Sequence, residues 1–216
     1  MSTLLAREDA AVYGKTPRLK KRMSEEAFVE WYSKTDDTVR AEWIDGEVVM
    51  MSPNNIEHQR IEFSIAKLID RFVRRKGLGE VFLGGIAMRL PSQRSRREPD
   101  IFFVAKKSAA AIQKTHIEGP SDLALEIVSP ESVERDYRIK YYEYEAAGIR
   151  EYWIVNPLAP SIIAYVLNTK GRYEQIEEKN GKIASKILPG FYLRVGWIAN
   201  PAGLDEDELL KEMGVR

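Results

Sequence analysis

Residues 96–104, RREPDIFFV, decide how the chain folds. Ile101, Phe102, Phe103 and Val104 are a short apolar run with β-branched and aromatic bias, which predicts a buried strand. Glu98 and Asp100 stand at its entrance with Pro99 between them, and two arginines precede them. Burying a carboxylate at the mouth of an apolar strand is unfavourable unless it finds a partner. A partner is offered by residues 122–130, DLALEIVSP, a second strand. Alternation puts Leu123, Leu125 and Ile127 on one face and Ala124, Glu126 and Val128 on the other, so Glu126 sits mid-strand among apolar neighbours. If the two strands are neighbours, Asp100 and Glu126 converge at one end of a sheet. Two close carboxylates repel each other, and a divalent cation relieves that repulsion.

The flanking elements follow from local signals. MSEEAFVEWYSK (23–34) predicts a short helix with Ser24 as N-cap. Asp45-Gly46 between Trp43-Ile44 and Val48-Val49 predicts a tight hairpin. The longest helix is expected over about 55–76, with Ile61, Ile65, Leu68, Ile69 and Phe72 on one face and Gly77 ending it. VFLGGIAMRL (81–90) is read as one strand, followed by the polar and basic loop PSQRSRR. A short helix is expected between the second and third strands. A second main helix is expected over 136–147, with Asp136 as N-cap and Gly148 closing it. EYWIVNP supplies a fourth strand. SIIAYVLN, RYEQIEE and KILPGFYL give a C-terminal β extension, and LDEDELLKEM gives an acidic helix.

The central order is therefore helix, three strands, helix, strand. That is a mixed α/β (α+β) layer and not a run of βαβ units. Residues 1–22 are expected to be a flexible basic arm, 23–198 one domain, and 199–216 an acidic tail helix.

Composition narrows the chemistry. The chain has 216 residues, 44% of them hydrophobic, with 33 basic and 33 acidic side chains and no cysteine. A sizeable core is available, while disulfides, thiolate ligands and a cysteine nucleophile are excluded. Two histidines cannot make a three-histidine zinc site, so a metal would rest on carboxylates, which suits magnesium or manganese. No G-x-G-x-x-G or G-x-x-x-x-G-K-[ST] occurs, so no nucleotide cofactor is expected. The N-terminus lacks a signal peptide's apolar core, and no apolar run approaches the ~20 residues of a membrane span. A soluble, cytoplasmic protein is expected.

Lys140 completes the group. It lies about one turn into the helix that follows the Glu126 strand, so its ammonium can reach the same sheet end. Two carboxylates, a metal and a lysine suit phosphodiester hydrolysis, in which the metal polarises phosphate and acidifies a water.

The element order, with EPD followed by LEIV, resembles the PD-(D/E)XK nuclease superfamily. EWIDGEVVMMSP, EPDIFFV, LALEIVSPES and RDYRIKYYEYEAAGIREYWIVNP together resemble the Uma-type restriction endonuclease family over roughly residues 25–195. The resemblance implies a restriction-endonuclease-like core and a magnesium-dependent endodeoxyribonuclease. It implies that Asp100 and Glu126 are metal ligands and that the Ile127 carbonyl is a third. The superfamily's lysine position, two residues after the glutamate, is Val128 here, and Lys140 matches the lysine that replaces it on the following helix. Glu42 would complete the metal shell, and His58 would orient a phosphate or water. Arg94, Arg96 and Arg97, just before Asp100, would track the backbone of DNA. Cutting both strands of a duplex needs two sites, which a homodimer would supply.

Each residue also has a simpler structural reading. Asp100 could cap a loop, Glu126 could pair with Arg89, and Lys140 could pair with Asp136 at i−4. Glu98 has only a structural or outer-shell role to offer. The rival to a nuclease is a catalytically inactive nucleic-acid-binding or interaction protein on the same fold, which Val128 keeps open. A hydrolase acting on another substrate is a third option.

Overall fold

The computed structural model describes residues 18–19, 22–36 and 38–215. Most of the expected basic arm over 1–22 lies outside the described residues. Within it, β1 (Arg18–Leu19) pairs antiparallel with Val48 and Val49.

Local signals act where expected. α1 (Glu25–Tyr32) starts with the Ser24 hydroxyl accepting the Ala27 N–H at 3.2 Å. β2 (Ala41–Ile44) and β3 (Glu47–Met50) are joined by Asp45 and Gly46 with φ of 47° and 90°, the geometry that Asp-Gly accepts most easily. α2 (Ile56–Lys76) is capped by Asn55, whose side chain accepts the His58 N–H at 2.8 Å, and stops at Gly77 with φ 63°.

The stretch 81–90 is not one strand. It divides into β4 (Gly79–Leu83) and β5 (Ala87–Leu90), which belong to different sheets and turn at Gly84-Gly85. The expected basic loop before Asp100 is also corrected: Ser95–Arg97 is a buried strand, β6. β7 (Ile101–Ala105) follows at once in the other sheet. The segment 96–104 thus spans both sheets, and Glu98-Pro99-Asp100 is the crossing between them. Sequence pattern treats arginines as surface residues. Here acids from distant elements neutralise them, and they take strand positions.

β8 (His116–Glu118) and β9 (Leu123–Ile127) lead to a wide π-helical turn over Arg135–Ile139 and then α3 (Lys140–Ala147). The second main helix therefore begins as a π turn, and Asp136 is inside that turn and does not cap it. β10 (Glu151–Asn156), β11 (Ser161–Leu167) and β12 (Tyr173–Gln175) continue the chain. A small ladder of β13 (Ile183–Ala184) with β14 (Tyr192–Leu193) precedes the short helix α4 (Gly196–Ala199) and α5 (Glu206–Glu212).

One sheet runs β1-β3-β2-β6-β5-β8 and the other β12-β11-β10-β9-β7-β4. In the second, β9 and β10 are parallel while β7 and β9 are antiparallel. α2 packs Ile61, Leu68, Phe72 and Val73 against Ile101, Phe103, Leu125 and Trp153 on one face of that sheet, with Leu210 of α5 in the same cluster. On the opposite face Ala124, Val128 and Ile154 meet Tyr144 of α3 and Met88 and Leu90 of β5. Each such large apolar side chain contributes about 1.5–3 kcal/mol on burial, so the sheet that carries the acids is clamped from both sides. The restriction-endonuclease-like order holds: α2, then β4, β7 and β9, then α3, then β10. Among the described residues no helix is long and apolar enough to cross a membrane.

Candidate active site

The antiparallel register pairs Ile101 with Leu125. Asp100 lies one residue before Ile101 and Glu126 one residue after Leu125, so the antiparallel register brings them opposite each other at the same sheet end. Both are buried, and both line a cleft whose other walls are His58, Ile127, Arg135 and Asp136, with Arg40 at its edge.

Each acid is held by specific partners. Asp100 Oδ2 accepts the Ile127 N–H at 2.8 Å and faces His58 Nε2 at 3.3 Å. Glu126 Oε1 lies 2.8 Å from Lys140 Nζ and accepts the Tyr144 hydroxyl at 2.9 Å. These contacts fall on one oxygen of each carboxylate. The second oxygen of each is a hard donor of the type a divalent cation prefers.

The electrostatics separate the two acids. Burial would raise the Asp100 pKa, but His58 and Lys140 outweigh it and hold the group below its ordinary value. Glu126 is pushed up to about 8, by burial first and then by Asp100 and Asp136, against the pull of Lys140. A cation beside Glu126 would restore its ionised form. Asp136 is also held above its ordinary value, chiefly by burial, and its Oδ1 is buried without a hydrogen-bond partner. The donor set therefore fits a divalent cation seated on Asp100 and Glu126. No group of three or more His, Cys, Asp or Glu side chains is arranged as a metal site among the described residues, so such a seat rests on two side chains.

The other expected residues divide between this cleft and the core around it. His58 is on the first turn of α2, between Glu62 Oε2 at 3.5 Å and Asp100. Burial lowers its pKa, but the two acids prevail and raise it to about 10. It stands on the cleft wall as a cation against Asp100. Lys140 is fully buried, 3.6 Å from Glu42 Oε1 and 3.8 Å from Asp136 Oδ1 as well as against Glu126. The simple pairing with Asp136 is therefore one contact of three.

Glu42 does not reach the cleft. Its Oε2 accepts Arg97 Nη1 at 2.8 Å and its Oε1 accepts the Glu98 N–H at 3.0 Å, so both oxygens are occupied by protein. The expectation that it completes a metal shell is corrected. Arg97 is likewise no surface contact. It is fully buried between Glu42 and Glu143. Arg96 is buried beside Glu25 at 3.1 Å. Arg94 alone of the three is exposed, and it pairs with Asp45 of the hairpin at 3.1 Å. Arg89 pairs with Glu25 and Glu118, leaving Glu126 to Lys140. Glu98 accepts the Tyr32 hydroxyl at 2.9 Å, tying α1 to the crossing.

Sequence reasoning passed over Arg135, Asp136 as a cleft residue, and Tyr144. Asp136 is bound by the Ser132 hydroxyl, and Arg135 Nε is 3.6 Å from Asp136 Oδ1. The run ESVERDYRIK carried a signal: it gathers three acids and three bases in ten residues soon after the Glu126 strand.

Residues 25–196 match the Uma2 family, described as putative restriction endonuclease. The chain belongs to the Uma2 family. A solved structure similar to it is a putative nuclease belonging to DUF820 from Anabaena variabilis ATCC 29413, with TM-score 0.65 and 15% identity over 80% of this chain and 97% of that one. At that identity the likeness establishes a shared fold. No curated protein matches the chain. As an Uma2 member the chain is placed among nucleases at the level of its family.

Proposed function

We propose that this chain is a metal-dependent endonuclease that hydrolyses DNA phosphodiester bonds. The apposition of Asp100 and Glu126 at one sheet end carries the reading. Asp100, Glu126 and the backbone carbonyl of Ile127 would hold magnesium or manganese. The ion, when bound, supplies polarisation of the phosphate and a water of lowered pKa. His58 keeps the Asp100 carboxylate ionised and oriented. Lys140 and Tyr144 hold one oxygen of Glu126 in place, and Lys140 draws that acid toward ionisation against its burial. Lys140 thus acts as a positioning residue beneath the metal seat, and Glu42 and Arg97 stand behind it. In the reaction water gives up a proton as its oxygen bonds to phosphorus, the ester P–O bond breaks, and the leaving oxygen takes up a proton. A homodimer would bring two such clefts to the two strands of a duplex.

The test is cleavage of supercoiled and linear DNA, and of RNA, with magnesium, manganese or chelator. Wild type should cut DNA only with metal, and Asp100→Asn and Glu126→Gln should not cut. Cleavage that survives both substitutions would overturn the site. DNA binding without any cleavage would favour the inactive nucleic-acid-binding protein, a reading to which Val128 and the complete burial of Lys140 lend support.

A further inference from the structure

Arg40 stands immediately before β2 and lines the cleft that holds Asp100 and Glu126. Its backbone is fixed, since its carbonyl accepts the Met51 N–H at 2.9 Å. Its guanidinium keeps hydrogen-bonding capacity in reserve. Nε and Nη2 have no hydrogen-bond partner, and the acid paired with it, Glu98, has Oε2 3.7 Å from Nε. The other Glu98 oxygen already accepts the Tyr32 hydroxyl at 2.9 Å.

The guanidinium rests on Gly84. A Cβ at that position would come 2.4 Å from Nη2. The Gly84 N–H in turn donates to the Asp100 carbonyl at 3.0 Å. The group therefore lies against the backbone next to the metal seat. It also borders a second hollow, lined by Asn54, Gln59 and Gly85, that adjoins the cleft. A quarter of the side chain is exposed, at 25%, while Nε and Nη2 are themselves buried, so a rotation of the side chain is what would present them to the cleft.

We infer that Arg40 binds a phosphate of the nucleic acid beside the Asp100–Glu126 seat. This inference rests on the nuclease reading for its substrate class. The guanidinium fork matches a phosphate oxyanion, and Nε and Nη2, which have no hydrogen-bond partner in the protein, are donors left to give it. The neighbouring carboxylates would be engaged by the metal and are held by protein donors, so the positive group beside them is what keeps the polyanion close.

The experiment is equilibrium binding of a short DNA duplex to the full chain, with calcium in place of magnesium, across a salt series. Arg40→Gln should bind on the order of tenfold more weakly, and its plot of log affinity against log salt should be shallower by about one unit. Arg40→Lys keeps the charge without the fork and covers a failure of the glutamine variant to fold. It should keep the wild-type salt slope with several-fold weaker binding. Glu98→Gln removes the ion pair and leaves the cleft intact, so it should bind DNA as wild type does. The inference is overturned if Arg40→Gln matches wild type in affinity and slope while wild type cuts DNA, or if Glu98→Gln reproduces the loss. If wild type neither binds nor cuts nucleic acid, the nuclease reading fails, and inorganic phosphate then decides Arg40. Thermal stabilisation by phosphate in wild type but not in Arg40→Gln upholds the anion site; equal responses overturn it.

Discussion

Lys140 Nζ lies 2.8 Å from Glu126 Oε1, and neither side chain reaches the surface. Burial alone would deprotonate the lysine, but Glu126, Glu42 and Asp136 together raise its pKa above the ordinary value. The same contact draws Glu126 toward ionisation, against burial and two neighbouring acids. Removing one partner of such a pair leaves the other as an uncompensated buried charge.

Lys140→Met should therefore destabilise the protein by about 3–5 kcal/mol. Urea denaturation of the metal-free protein measures this. A loss below about 1 kcal/mol would mean that the three carboxylates do not depend on the ammonium.

The arginines before Asp100 should separate by burial. Arg97→Ala strips the cation from Glu42 and Glu143 in the core and should cost about 3–5 kcal/mol. Arg94→Ala breaks an exposed pair and should change stability by less than about 0.5 kcal/mol. Melting temperatures of the two variants check the contrast, and equal losses would contradict the burial of Arg97.

His58 makes the metal-free protein sensitive to alkali. Its pKa is about 10 in the fold, against an ordinary 6.5. The folded state holds the proton more tightly, so the charged ring's contribution is fully present below pH 6.5 and is lost as pH rises through about 10. His58→Asn should be clearly less stable than wild type at pH 6, with the gap closing toward pH 10. Urea curves at pH 6, 8 and 10 in chelator test this, and a gap that widens with pH would refute it.

Gly77 closes α2 with φ 63°, and an added Cβ would meet nothing within 4 Å. Gly77→Ala should therefore cost about 1 kcal/mol, from backbone strain and no clash. A thermal or urea midpoint unchanged from wild type would show that the helix end relaxes.

The elements legible in the sequence were those whose causes are local. Ser24 caps its helix, Asp45-Gly46 turns the hairpin, Gly77 and Gly148 end helices, and the apolar spacing of α2 finds the sheet. Asp100 and Glu126 were legible as well, because a carboxylate within an apolar strand is costly and stands out. What only tertiary structure decided depends on partners remote in sequence. Gly84-Gly85 looked like the middle of one strand until two different sheets claimed its halves. Arg97 looked like a solvated base because the acids that bury it, Glu42 and Glu143, are 55 and 46 residues away. Glu42 looked like a ligand because nothing local shows that its oxygens face Arg97 and the Glu98 N–H. Local pattern determines where helices and turns begin. Which buried charge neutralises which is a matter of three-dimensional packing, since an ion pair in the core forms between whatever the fold brings within reach.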